Sequence, residues 1–85
     1  MVVFTYSVNQ TMRSNTGFAK HVAQSILRFG RKDWGDVSDT DKQGNDEAVE
    51  AKTQVLGAYG NGNTKIWIIK DALNGPVTVM YPSDY

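Results

Sequence analysis

Thr64-Lys65-Ile66-Trp67-Ile68-Ile69-Lys70 is followed, after Asp71-Ala72-Leu73-Asn74-Gly75, by Pro76-Val77-Thr78-Val79-Met80-Tyr81. Both runs are rich in the β-branched and aromatic residues that suit a pleated, half-buried surface, and turn formers bound them. Asn74-Gly75 accepts the positive φ angles of a tight reversal. Pro76 lacks a ladder donor and belongs at a strand's first residue or on an edge. The stretch therefore predicts an antiparallel β-hairpin. Side chains alternate across a strand. Ile66 and Ile68 then take one side of the first strand, and Lys65, Trp67 and Ile69 the other; Val77, Val79 and Tyr81 separate from Thr78 and Met80. The mixed set is expected to face away from any helices. Trp67, Ile69 and Met80 would form an apolar patch in a polar rim there, the composition of a binding or dimer surface. The competing expectation is that residues 31–37 fold over this patch, with Trp34 as its cover.

Upstream of the hairpin, Val2 to Tyr6 reads as a first strand. Ser7-Val8-Asn9-Gln10 has the capping-box form and predicts a short helical turn to about Arg13. Asn15 or Thr16 can cap a second helix. Phe18, Ala19, Val22, Ala23, Ile26 and Leu27 recur at the three- and four-residue spacing of one buried face. Gly30 is placed to end that helix in a left-handed conformation. Arg31 to Val37 is a loop around Asp33-Trp34-Gly35-Asp36. Ser38 is an N-cap, with Asp39 and Asp41 in the first turn, where the helix dipole favours acids. A third helix is expected from Asp39 to about Tyr59, with Ala48, Ala51, Val55, Ala58 and Tyr59 as its stripe, and Gly60-Asn61-Gly62-Asn63 ends it. The expected architecture is α+β, in the order β-α-α-β-β: a three-stranded antiparallel sheet with two main helices on one face.

Eighty-five residues make one domain, residues 1–85. A chain of this size buries only about 60% of its unfolded surface, so its core is thin. It has no cysteine, which fits a reducing compartment and excludes disulfides, thiolate metal sites and cysteine nucleophiles together. No run approaches a membrane span and no secretory signal opens the chain, so a cytoplasmic location is expected, with no membrane partner. Net charge is zero by cancellation: residues 1–32 carry +5, residues 33–50 carry −6 and residues 51–85 carry +1. Such polarity can steer a charged partner even when the net charge cannot.

Asp33-Trp34-Gly35-Asp36, Asp46-Glu47-Ala48, Lys65-Ile66-Trp67-Ile68-Ile69, Thr78-Val79 and Tyr81-Pro82-Ser83-Asp84-Tyr85 occur in an order and spacing that resemble a family of small "plasmid-related proteins" encoded on mobile genetic elements: plasmids, integrative elements and phage. The resemblance runs from about Phe4 to Tyr85. It implies a mobile-element setting and no particular chemistry. The chain departs from the family pattern at Ala72-Leu73-Asn74-Gly75, where relatives carry more charge.

The residues that could carry chemistry read mostly as structure. Asp39 to Glu50 matches a calcium-binding EF-hand loop at its first, third, sixth and twelfth positions. Asp46 stands where an aliphatic belongs, Gln43 is long for its place, and no second hand is present. The same residues read as an acidic helix start, so no metal or other cofactor is expected. His21 and Ser25 share a helix face, but no orienting acid or oxyanion hole accompanies them. Asp33 and Asp36 flank a glycine, as acid and base can, and equally suit a turn. Gly57, Gly60 and Gly62 follow a helix and open a strand, the reverse of a phosphate cradle. Five positive side chains beside an acidic segment make a weak nucleic-acid footprint.

No catalytic set survives, so the chain is expected not to be an enzyme. The expected function is that of a mobile-element accessory protein acting by stoichiometric binding of a host or element-encoded protein. An inhibitor of a host defence system such as a CRISPR effector is its concrete form, and a small nucleic-acid-binding regulator is the alternative. Asp39, Asp46 and Glu50 are the candidate contacts if carboxylates imitate nucleic-acid phosphates. Trp67, Ile69 and Met80 are the candidates if the contact is apolar or a homodimer forms.

Overall fold

In a computed structural model, which describes residues 1–71 and 75–85, the order is β1 (Val2–Phe4), α1 (Tyr6–Ser14), α2 (Thr16–Gly30), α3 (Asp39–Ala51), β2 (Val55–Tyr59), β3 (Ile66–Lys70) and β4 (Val77–Met80). Short 3-10 turns at Gly62–Thr64 and Pro82–Asp84 follow β2 and β4. The turn expected at Asn74-Gly75 lies partly outside the described residues, at its Asn74. The fold is α+β, but the sheet has four strands in the order β1-β4-β3-β2 and is mixed. β2–β3 and β3–β4 are antiparallel, whereas β1 runs parallel to β4. The expected three-stranded antiparallel sheet and β-α-α-β-β order are corrected accordingly, to β-α-α-α-β-β-β.

Three local corrections have physical causes. The first helix is a full element: Thr5, not Ser7, is its N-cap, its hydroxyl accepting the Val8 N–H at 3.5 Å, and Val8 is fully buried. Gly30 stays inside α2, and the left-handed residue is Lys32, at φ 64°. The largest change is that the third helix stops at Ala51. Lys52 takes a left-handed conformation at φ 61°, its N–H donating back to the Ala48 and Val49 carbonyls, and Val55–Tyr59 continues as a strand.

The core lies between the helices and one side of the sheet. Val8 of α1 and Phe18, Val22 and Phe29 of α2 meet Val55, Tyr59, Ile66, Ile68 and Val79, and Trp34 joins them from the loop. Ala48 and Val49 of α3 pack at its margin, and α3 itself has no fully buried residue. Gly57 keeps space for the Tyr59 ring: a Cβ there would stand 2.8 Å from Cε2. The Tyr59 hydroxyl donates to the Asp33 carbonyl at 2.8 Å, and burial pushes its pKa well up. Asp84 ties the residues after β4 to the start of α1. It accepts from the Thr5 hydroxyl at 2.7 Å and the Ser7 hydroxyl at 3.3 Å, as well as from the Tyr81 N–H at 3.1 Å. The Thr5 bond is the leading cause that holds this carboxyl below the usual range.

Candidate functional site

The register assigns every sheet residue to a face. Trp67 stands opposite Met80 on β4 and Ala58 on β2; Ile69 stands opposite Thr78 and Leu56. None of these belongs to the helix-side cluster, and Val3 of β1, opposite Thr78, extends the same face. The expected division of β3 and β4 into two sets therefore holds. Ile69 is 3% exposed, so it is the floor of this face and offers no contact area of its own. Leu56, Trp67, Thr78 and Met80 are half-buried. Tyr85 sets its ring edge-on to Trp67, with centroids 5.8 Å apart, and is itself 78% exposed. Leu56 falls inside the expected third helix, and no local pattern says where the Tyr85 ring lies.

Trp34 does not cover the face. It is 4% exposed in the helix-side core, edge-on to Phe29 at 5.3 Å, and its indole N–H donates to Asp46 Oδ1 at 3.0 Å. The loop that carries it pairs with the rim of β2 instead. Ala58 N–H donates to the Trp34 carbonyl at 3.0 Å and Asp36 N–H to the Ala58 carbonyl at 2.7 Å. Asp33 grips Arg28 through two bonds of 2.8 and 3.2 Å and also accepts the Gly35 N–H. The Arg28 guanidinium is the main reason its carboxyl lies below the usual carboxylate range.

The acidic residues are separated by role. Asp39 and Glu50 are exposed on α3, whereas Asp46 is bonded to Trp34. Asp39 to Glu50 is continuous helix, so the oxygens of the calcium-loop pattern project around an axis and do not converge. Among the described residues no group of three or more His, Asp or Glu side chains is placed to hold a metal ion. His21 and Ser25 do not form a pair. The His21 Nε2–H donates to the Thr64 carbonyl at 2.9 Å, and the Ser25 hydroxyl donates to the His21 carbonyl at 2.7 Å. A cleft of about 360 Å³ opens between α3 and β2 beside Asp41, Asn45 and Leu56. Asn45, its main polar group, is already committed to the Leu56 backbone. Among the described residues no helix is long and apolar enough to cross a membrane.

No family model, curated protein or solved structure matches this chain.

Proposed function

We propose that the chain is a non-catalytic binding module that grips a partner protein through the helix-free face of its sheet. The observation that carries this reading is the joined surface of Val3, Leu56, Trp67, Met80 and Tyr85, which the helices leave open. Aromatic and methionine side chains of this kind dominate binding energy when a partner dehydrates them. The resemblance to mobile-element proteins gives the proposal its setting: stoichiometric obstruction of a larger host protein, with defence proteins such as CRISPR effectors as the class to search first.

A second mode has its own support. Asp39, Asp41, Glu47 and Glu50 are all exposed on a helix with no buried residue, a charge array that can compete with nucleic acid for a basic groove. The alternative of direct nucleic-acid binding draws less support, because Arg28 is held by Asp33 and lies over the Tyr59 ring at 5.1 Å.

The test is co-purification from a host lysate, followed by affinity measurement on the captured protein. Trp67→Ala is expected to weaken that affinity by tenfold or more, on the order of 2 kcal/mol for an interface aromatic. Joint Asp39→Lys and Glu50→Lys is expected to weaken it less, and mainly at low salt. Unchanged affinity in Trp67→Ala would refute the sheet-face reading, and a dominant effect of the charge reversals would transfer the site to α3.

A further inference from the structure

The outer strand β1 has an open edge whose peptide groups are turned outward in a self-complementary pattern. Val77 N–H donates to the Met1 carbonyl at 2.8 Å, and Thr5 N–H donates to the Val79 carbonyl at 3.0 Å. The register between them is Val2 to Val77, Val3 to Thr78 and Phe4 to Val79. By the alternation of a strand, residues 1, 3 and 5 address β4, and the N–H and C=O groups of Val2 and Phe4 point away from the sheet. β1 ends the strand order, so no strand among the described residues receives them.

Devices that keep such edges from pairing are charged side chains, proline, bulges and shortness. β1 has only the last. From Met1 to Met12 there is no charged side chain and no proline. The side chains along the edge are apolar and open: Val2 is 40% and Phe4 37% exposed, and Met1 and Tyr6 are 93% and 78% exposed. The chain carries no net charge, and no charged side chain between Met1 and Met12 sets a local repulsion at this edge.

We infer that β1 pairs antiparallel with β1 of a second copy, around a two-fold axis at Val3. In an antiparallel ladder, residues that exchange both backbone bonds recur every second position. Val2 opposite the second copy's Phe4, and Phe4 opposite its Val2, uses every outward group of both strands in two such pairs. Val3 then faces its own counterpart across the non-bonded position, where side chains come closest. Such an isologous contact needs no other chain to supply a matching register. It is reversible, because the strand is three residues long. The result is one continuous sheet with the helix-free faces of both copies on the same side. The pairing stands whether or not that face grips a partner protein.

Sedimentation velocity across a concentration series, with amide exchange read at its two ends, tests the inference. The expected result is a monomer–dimer equilibrium in which the Val2 and Phe4 amides gain protection only at high concentration. Val3→Lys and Val3→Glu chains, checked for an unchanged melt, should each dimerise about fivefold or more weakly, since like charges would face each other across the axis. An equal mixture of the two should recover the association. A chain that stays monomeric at millimolar concentration overturns the inference and leaves the edge to a strand from another protein. So does a dimer in which the Val2 and Phe4 amides exchange as fast as in the monomer, because another surface would then be holding it. The amide reading uses the unaltered chain and stands even if the Val3 variants fail to fold.

Discussion

At the β2 edge of the sheet each outward backbone group from Leu56 to Ala58 has a partner, whereas at the β1 edge the corresponding groups have none among the described residues. The β2 edge is closed by two unrelated devices. The loop lends Trp34 C=O and Asp36 N–H to Ala58, and Gly35 forms a parallel bridge with it. Asn45 of α3 acts as a one-residue strand: its Oδ1 accepts the Leu56 N–H at 3.2 Å, and its Nδ2 donates to the Leu56 carbonyl at 2.7 Å. These closures are anchored in the core through Trp34 and through the Tyr59 hydroxyl on Asp33. The comparison shows where the loop is spent. The loop pairs with the β2 edge and does not lie across Trp67 and Met80, which stay half-buried on the helix-free face. An edge so closed resists pairing with other chains; one left open invites it.

The sharpest way to break the closed edge is Gly35→Val. Gly35 sits at φ 76°, and a Cβ there would collide with the Ala58 carbonyl oxygen and lie 2.8 Å from the Tyr59 ring. A β-branched residue is strained at that φ in any surroundings. The loop must leave β2, taking the Ala58 pairing and the seat of Trp34 with it. The expected loss is about 3 kcal/mol or more. In a thermal melt that is a fall of more than about 10 °C for a domain of this size. A melt within a few degrees of the parent would show that the bridge contributes little to the fold.

Asn45→Ala removes the second device alone. It leaves the N–H and C=O of Leu56 without their partner in a half-buried place, at an expected cost of about 1–3 kcal/mol. Asn45→Asp keeps the acceptor for the Leu56 N–H but sets an anion against its carbonyl, so its loss should be no smaller. Chemical denaturation of both variants measures this. An Asn45→Asp protein as stable as the parent at neutral pH would mean that the Nδ2 bond to Leu56 is not made in solution.

Acid should loosen both ends of the sheet, through different carboxylates. Asp33 supports the loop at β2, and Asp84 holds Thr5 beside β1. Both pKa values are depressed in the folded chain, Asp33 chiefly by Arg28 and Asp84 chiefly by the Thr5 hydroxyl. A depressed folded pKa contributes stability above the unfolded value, and that stability is lost as pH falls through the folded one. Melting temperature should therefore drop from about pH 5 downward. Asp33→Asn and Asp84→Asn should each flatten part of that drop. Both groups are exposed, so solvent keeps the effect smaller than either change above.

What the sequence made legible divides along the same line. The β3–β4 hairpin and its two faces follow from local alternation, and the buried stripe of α2 from its period. The strand at Val55–Tyr59 did not follow. Ala48, Ala51, Val55, Ala58 and Tyr59 keep a helical spacing across the boundary, and no glycine or proline marks the stop. The chain turns on Lys52 in a left-handed conformation, which is uncommon for a residue with a side chain. Gly57 disfavours a helix there, and its reason, the Tyr59 ring over it, is tertiary. The parallel placement of β1 beside β4 depends on contacts more than 70 residues apart, which no local pattern encodes. Of the six candidate contacts, Trp67 and Met80 lie on the helix-free face, Asp39 and Glu50 are exposed on α3, Ile69 is floor, and Asp46 holds Trp34. Strand parity could not reveal that Ile69 is floor, because it reports a side chain's direction and not its depth, and charge alone could not reveal that Asp46 has Trp34 as its partner.

The smallest expected effect is the one that decides the comparison. Val2 is 40% exposed, and its outward backbone groups have no partner strand in a single copy. Its inward neighbours, Met1 and Val3, carry the pairing with β4, and a side-chain change at Val2 leaves their peptide groups untouched. Val2→Lys keeps a long aliphatic stem against the sheet and lets the ammonium reach water. Measured at a concentration where the chain is monomeric, it should shift stability by less than about 0.5 kcal/mol. At high concentration the same variant should associate more weakly, because the ammonium would enter the junction beside the second copy's Phe4. A loss in the monomer as large as that of Asn45→Ala would mean that the β1 edge is already closed within one copy. The contrast between the two edges would then fail, and the dimer with it.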